Sequence, residues 1–257
     1  MNGPRAAQIV LAGLCLTLLH AAPADAAVAV RTGLLGQFIF GAPAGDDRSA
    51  PAPPVARYVS DEGQSFVLDR SSSTPLLKFD DSPEVVALSP TSASRGDTIY
   101  RDDMGETVLR VTRLGGLTIF FPDRPTGAPV AFAGQAPGIR LAPMGAGALL
   151  QRLALASSRA TRAARRLIVF DAQEVTPGSE AVIADSAFVT AQAFVRLSAR
   201  PGGEGILARF ERVLFKPGSK EQVSAGKGVL NITVNASKGL AGRPSSAKII
   251  AVALKTH

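Results

Sequence analysis

The chain has one cysteine, Cys15, two histidines, His20 and His257, and no tryptophan. Cys15 and His20 both fall within the first 26 residues, so a chain cleaved after Ala26 keeps no thiol and only a terminal imidazole. A Cys–His pair, a Ser–His–Asp triad, a Cys/His zinc site and a multi-histidine metal site are all excluded from such a chain. No disulfide can support the fold, which must rest on core packing. Stacking platforms for sugars and bases draw mainly on Trp and Tyr, and the only tyrosines are Tyr58 and Tyr100. The twelve phenylalanines mostly sit inside apolar runs, where they read as core. The sequence indicates no metal and no cofactor.

The first 26 residues have the three-part layout of an export signal: a basic start with Arg5, an apolar run over 9–19, and the small-residue end Ala24-Asp25-Ala26. The apolar run is about half of the roughly 20 residues that cross a bilayer as a helix. Leu14 stands before Cys15 where lipid attachment asks for a small residue, which favours a free mature protein. Cleavage after Ala26 predicts an exported protein, periplasmic or envelope-associated, with no further apolar stretch long enough to span a membrane.

With 46% apolar residues the chain is expected to fold. Charge is divided along it: residues 27–139 hold 10 Lys/Arg against 13 Asp/Glu, and residues 140–257 hold 17 against 7. A split from −3 to +10 suggests two surfaces with different partners, or two halves that attract each other, and directs the search for an anionic ligand to the basic half.

Residues 27–56 combine an apolar start with a Pro/Ala-rich linker. Residues 30–40 read equally as a first strand or as a segment packed on the body. From 57 to 135 short β-branched and aromatic runs at 65–68, 75–79, 84–88, 97–100, 107–112, 117–121 and 128–132 alternate with Asp/Gly/Pro turns. Seven such runs predict an antiparallel sandwich, roll or small barrel. The period changes at 145–167, where Leu149, Leu153, Ala156, Ala160, Ala163 and Leu167 recur at helical spacing opposite Arg152, Arg159, Arg162, Arg165 and Arg166. A mostly buried second helix is expected over 179–198. Residues 206–215 fit helix or strand, and 229–234 and 248–253 read as strands. The fold class is therefore α+β, with a β-rich part over 57–135 and a basic part with two helices and short strands over 140–257; an alternative is one domain over 57–257.

Two stretches, Gly239-Leu240-Ala241-Gly242-Arg243-Pro244-Ser245-Ser246 and 107–116 (TVLRVTRLGG), carry a family likeness. The chain resembles an uncharacterised family of exported alphaproteobacterial proteins classed as a domain of unknown function. That resemblance implies a Gram-negative envelope location and brings over no catalytic residue.

The five-arginine face is the strongest candidate site, because guanidinium groups fork onto phosphate and carboxylate oxygens. Its competing reading is a solvated face balanced by the acidic half. Nucleic acid suits the charge, but export and the lack of interleaved aromatics disfavour it. Ser224/Lys227 and Ser245/Lys248 have the Ser-x-x-Lys spacing of serine–lysine acyltransferases without their companion elements. Asp46-Asp47, Asp80-Asp81 and Asp102-Asp103 with Glu106 stand beside turn residues, where Asp serves local hydrogen bonding more often than catalysis or calcium. Arg95-Gly96-Asp97 spells an adhesion tripeptide and reads as a turn, and the glycosylation patterns at Asn231 and Asn235 carry no meaning in a bacterial chain. The expected function is non-enzymatic binding or scaffolding at the envelope, through the arginine face toward anionic lipid, lipopolysaccharide or an acidic protein. The alternative is a carboxylate- or Ser/Lys-dependent hydrolase or transferase. Oligomeric state is not legible.

Overall fold

A computed structural model describes residues 53–256; the expected export signal, the apolar segment after it, Asp46, Asp47 and His257 lie outside the described residues. The first part is a nine-stranded antiparallel sheet of β1 (Val55–Ser60), β2 (Ser65–Asp69), β3 (Leu76–Phe79), β4 (Val85–Ala87), β5 (Ser89–Ser92), β6 (Thr98–Arg101), β7 (Thr107–Val111), β8 (Leu117–Phe121) and β9 (Arg124–Gln135). Two meanders, β1 to β4 and β5 to β9, are sealed by pairing β1 with β9. The two edges, β4 and β5, are joined through one buried residue, Leu88, so the sheet curls into a nearly closed roll. Period-two alternation sends Ala56, Tyr58, Phe66, Leu68, Leu77, Tyr100, Leu109, Ile119 and Ala128 into one apolar core. The seven expected strands are present; β1 and the Ser/Pro-rich β5 were not legible as strands.

The second part begins with α1 (Ala146–Ala164), followed by β10 (Val169–Ala172), α2 (Glu180–Ser198), α3 (Gly203–Leu207), β11 (Arg212–Pro217), β12 (Gln222–Gly226), β13 (Val229–Val234) and α4 (Ser246–Lys255). Its mixed sheet runs β10-β11-β13-β12, with only the β12–β13 pair antiparallel. Helix α2 packs between α1 and α4 and against β11 and β13, while α1 lies by β10 and α4 by β12. Alanines line the facing flanks of α1 (Ala156, Ala160) and α2 (Ala184, Ala187, Ala191), which lets the two helices approach closely. Against the expectation that no stretch after the signal is long enough to span a membrane, α2 is, alone among the described residues, long and apolar enough by length and composition, but it is mostly buried as a core helix. The α+β class is as expected, with two corrections: residues 248–253 form the middle of α4, not a strand, and Leu167, expected on the buried side of the first helix, lies beyond its end and is exposed.

The two parts meet where α4 begins. The buried Glu84 accepts hydrogen bonds from the Ser246 backbone N–H (2.8 Å), the Ser246 hydroxyl (2.6 Å) and Arg196 of α2 (3.1 Å). The Asp103 carboxylate accepts from the Ser245 N–H at 2.8 Å. Carboxylates suit this position, because unpaired N–H groups give a helix N-terminus partial positive charge. Arg243, 4% exposed, is ion-paired with Asp185 of α2 and donates to the Val85 carbonyl of β4 at 3.1 Å. A small apolar cluster of Leu76, Val85 and Leu240 fills the joint.

Candidate functional site

Helix α1 buries Leu149, Leu153, Ala156, Ala160 and Ala164 and turns its arginines outward. It ends at Arg165, in the left-handed region at φ 53°, and its exit is fastened by side chains: Ser157 Oγ donates to the Ile168 carbonyl, and the Ile168 N–H donates to Thr161 Oγ1. All five predicted arginines are exposed. They are not equivalent. Arg165 is paired with Glu204 at 3.2 Å, and Arg166 with Glu211 at 3.3 Å and with the Ala208 carbonyl. Arg152, Arg159 and Arg162 have no carboxylate within 4 Å among the described residues. The balancing acids therefore come from Glu204 and Glu211 of the basic half, and not from the acidic β-rich part.

Beside these three arginines the α1–α2 flank is hollow. A cavity of about 370 Å³ is lined by Leu141, Met144, Leu155, Ala156, Ala184 and Phe188, with Arg152 and Arg159 on its α1 side. Its physical origin is the small side chains that allow the helices to approach: where Ala156, Ala181 and Ala184 leave space, no larger side chain refills it. The Arg159 guanidinium lies 5.5 Å from the centre of the Phe188 ring, a cation–π contact that holds its charge over the hollow. Arg159 also borders a shallower depression with Arg162, Gln192 and Val195, so the groove continues along the helix pair. Asp185 reaches the same hollow, with its charge matched by Arg243. The apolar lining was not legible as a site, since Leu155 falls outside the apolar stripe of the first helix, Phe188 belongs to a helix read as mostly buried, and Met144 precedes the first helix.

The other sequence candidates are separate from this groove and from one another. Ser245 is the N-cap of α4, its hydroxyl accepting the Lys248 N–H at 3.1 Å. Ser224 is exposed on β12, with Lys227 in the turn that follows. Ser224 and Lys227 therefore share no helix, whereas Ser245 and Lys248 do share the first turn of α4. There, however, the hydroxyl is bonded to the Lys248 backbone N–H, and among the described residues no hydrogen bond joins it to the Lys248 amine that acyl transfer needs. Asp80 is paired with Arg57, and Asp81 is exposed in the β3–β4 turn. Asp102 accepts the Met104 and Glu106 N–H groups, closing the β6–β7 turn; burial chiefly, with the charges of Asp103 and Glu106, pushes its carboxyl above the usual range. Asp97 of the adhesion-like tripeptide is buried, and its hydrogen bond from Arg110 outweighs burial and holds it low. Asn235 is buried and bonded to Ser219 and Ser237. Among the described residues no three His, Cys, Asp or Glu side chains are placed to hold a metal ion.

The family-like stretch 239–246 has a structural reading that the sequence concealed. Gly239 adopts φ 54°, ψ −131°, which side-chain-bearing residues avoid, and a Cβ on Gly242 would lie 1.8 Å from the Asn235 carbonyl oxygen. Arg243, Ser245 and Ser246 then make the junction contacts. No similar curated protein and no similar solved structure was found. A family model does match, over residues 37–253, and this chain accordingly belongs to the family of the domain of unknown function DUF4908.

Proposed function

We propose that this protein is a non-enzymatic binding or scaffolding protein of the bacterial envelope, exported by its first 26 residues, that meets an anionic surface through the outward face of α1. The observation that carries the reading is the trio Arg152, Arg159 and Arg162, exposed on one helix and without an acidic partner within 4 Å among the described residues. Exposed Leu155, which lies beside Arg152 and Arg159 on the same side of the helix, adds an apolar contact of the kind that an interfacial helix uses. An enzymatic reading loses support because Ser245, Asp102 and Asp103 are each engaged in capping or turn closure.

The test is binding of the mature chain to vesicles with and without anionic lipid or lipopolysaccharide, at low and high salt. Each basic residue near an anionic surface contributes about 1 kcal/mol, so Arg152, Arg159 and Arg162 changed together to Gln should weaken binding about a hundredfold. Changing Arg165 and Arg166, which already face Glu204 and Glu211, should cost far less. Salt-insensitive binding, or equal losses in the two variants, would overturn the assignment.

A further inference from the structure

We infer that the groove between α1 and α2 is a binding site for a single-chain fatty carboxylate. The inference deepens the envelope-surface reading, since it uses two of the same arginines, but it asks for a pocket where that reading asks for a face.

Three features specify the ligand. The hollow of about 370 Å³ is at the small end of the range for ligand sites, which fits one acyl chain and not a two-chain lipid. Its lining is mostly apolar, with one side open to solvent: Leu141 and Met144 come from the segment before α1, Leu155 and Ala156 from α1, and Ala184 and Phe188 from α2. Its charge is one-sided. Arg152 and Arg159 bring two guanidinium groups, and the one acid present, Asp185, is neutralised by Arg243. An anionic head is therefore attracted, a cationic head repelled, and a carboxylate matches the planar fork of a guanidinium. Arg159, steadied over Phe188, is the group best placed to receive it.

The experiment is calorimetric titration of the mature protein with dodecanoate below its micellar concentration, beside acetate and dodecyl maltoside. Dodecanoate should bind at one site and the other two at least about tenfold more weakly, since each lacks either the chain or the charge. Equal binding of dodecyl maltoside, or of acetate, overturns the proposal, as does absence of dodecanoate binding. Ala142→Trp places bulk at an exposed wall residue, and Ala181→Phe at the opposite wall, so that one misfolded variant does not decide the matter. Each should abolish dodecanoate binding and leave vesicle binding intact, whereas Arg152 and Arg159 changed to Gln should weaken both. Dodecanoate binding that survives both filled variants overturns the pocket alone. Groove-dependent dodecanoate binding in a protein that ignores vesicles removes the surface reading and leaves the pocket standing.

Discussion

Asp69 shows how one carboxylate organises a connection. It lies on the outer face of β2 with 1% exposure, where an unpaired charge would be costly. One oxygen accepts from the Ser71 N–H and hydroxyl, and the other from the Ile139 N–H (2.8 Å) and Arg140 (3.3 Å), which ties the chain leaving β9 to the roll. Burial alone would raise its pKa, but the Ser71 and Ile139 hydrogen bonds and the Arg140 charge together hold it below the usual value. The folded state thus binds fewer protons than the unfolded state near pH 4, and stability rises with pH there. The contribution is complete above the unfolded value of about 3.9 and is lost as pH falls through the lower folded value. Asp69→Asn leaves buried donors without a charged acceptor, so it should cost about 1–3 kcal/mol at pH 7 and flatten the acid limb of the stability profile. Urea midpoints at pH 7, 5 and 3 would show this; parallel profiles for the two proteins would contradict it.

Helix α4 is where element-level reading failed, and the reason is physical. Ile249, Ile250 and Val252 give residues 248–253 the composition of a strand. The helix is set instead at its start, by the Ser245 cap and by Glu84 and Asp103, which come from more than 140 residues earlier in the chain and were invisible as partners. Ser245→Ala should cost about 1 kcal/mol through loss of the cap, measured by thermal or urea unfolding. Lys248→Met should be nearly neutral, because the cap uses the Lys248 backbone and not its amine; a functional Ser–Lys pair would make the two variants behave alike. By contrast α1, α2, seven strands of the roll and β13 were legible because their periodicity is local and tertiary contacts reinforce it. The arginine face followed from the same periodicity. Which arginines carry acidic partners did not, since Glu204 and Glu211 reach α1 only through the fold. The groove was equally hidden, because alanines at Ala156 and Ala184 read as close packing whether or not they border a hollow.

For the molecule as a whole, the roll and the helix-backed sheet have separate apolar cores joined mainly by polar contacts. The charge split takes on a specific meaning here. A few acids of the β-rich part, Glu84 and Asp103, serve the α4 N-terminus, while Arg152, Arg159 and Arg162 carry part of the second part's positive charge on the exposed side of α1. Two cores joined in this way should unfold together only while the junction holds, and the tyrosines offer a means of watching each part. Tyr58 and Tyr100 both lie in the core of the roll, and there is no tryptophan, so the near-ultraviolet tyrosine signal reports on the roll alone. Circular dichroism at 222 nm reports chiefly on α1, α2 and α4. The wild-type transitions should coincide, as expected of a cooperative unit. Glu84→Gln with Asp103→Asn keeps the shapes but removes the charges facing the helix N-terminus and Arg196, a loss of about 1.5–3 kcal/mol for each charge-assisted contact. In that variant the tyrosine and helix transitions should separate in urea. Coincident transitions in the variant would mean that the apolar joint of Leu76, Val85 and Leu240 couples the two cores without the carboxylates, whereas separate transitions in the wild type would mean that the junction does not couple them at all.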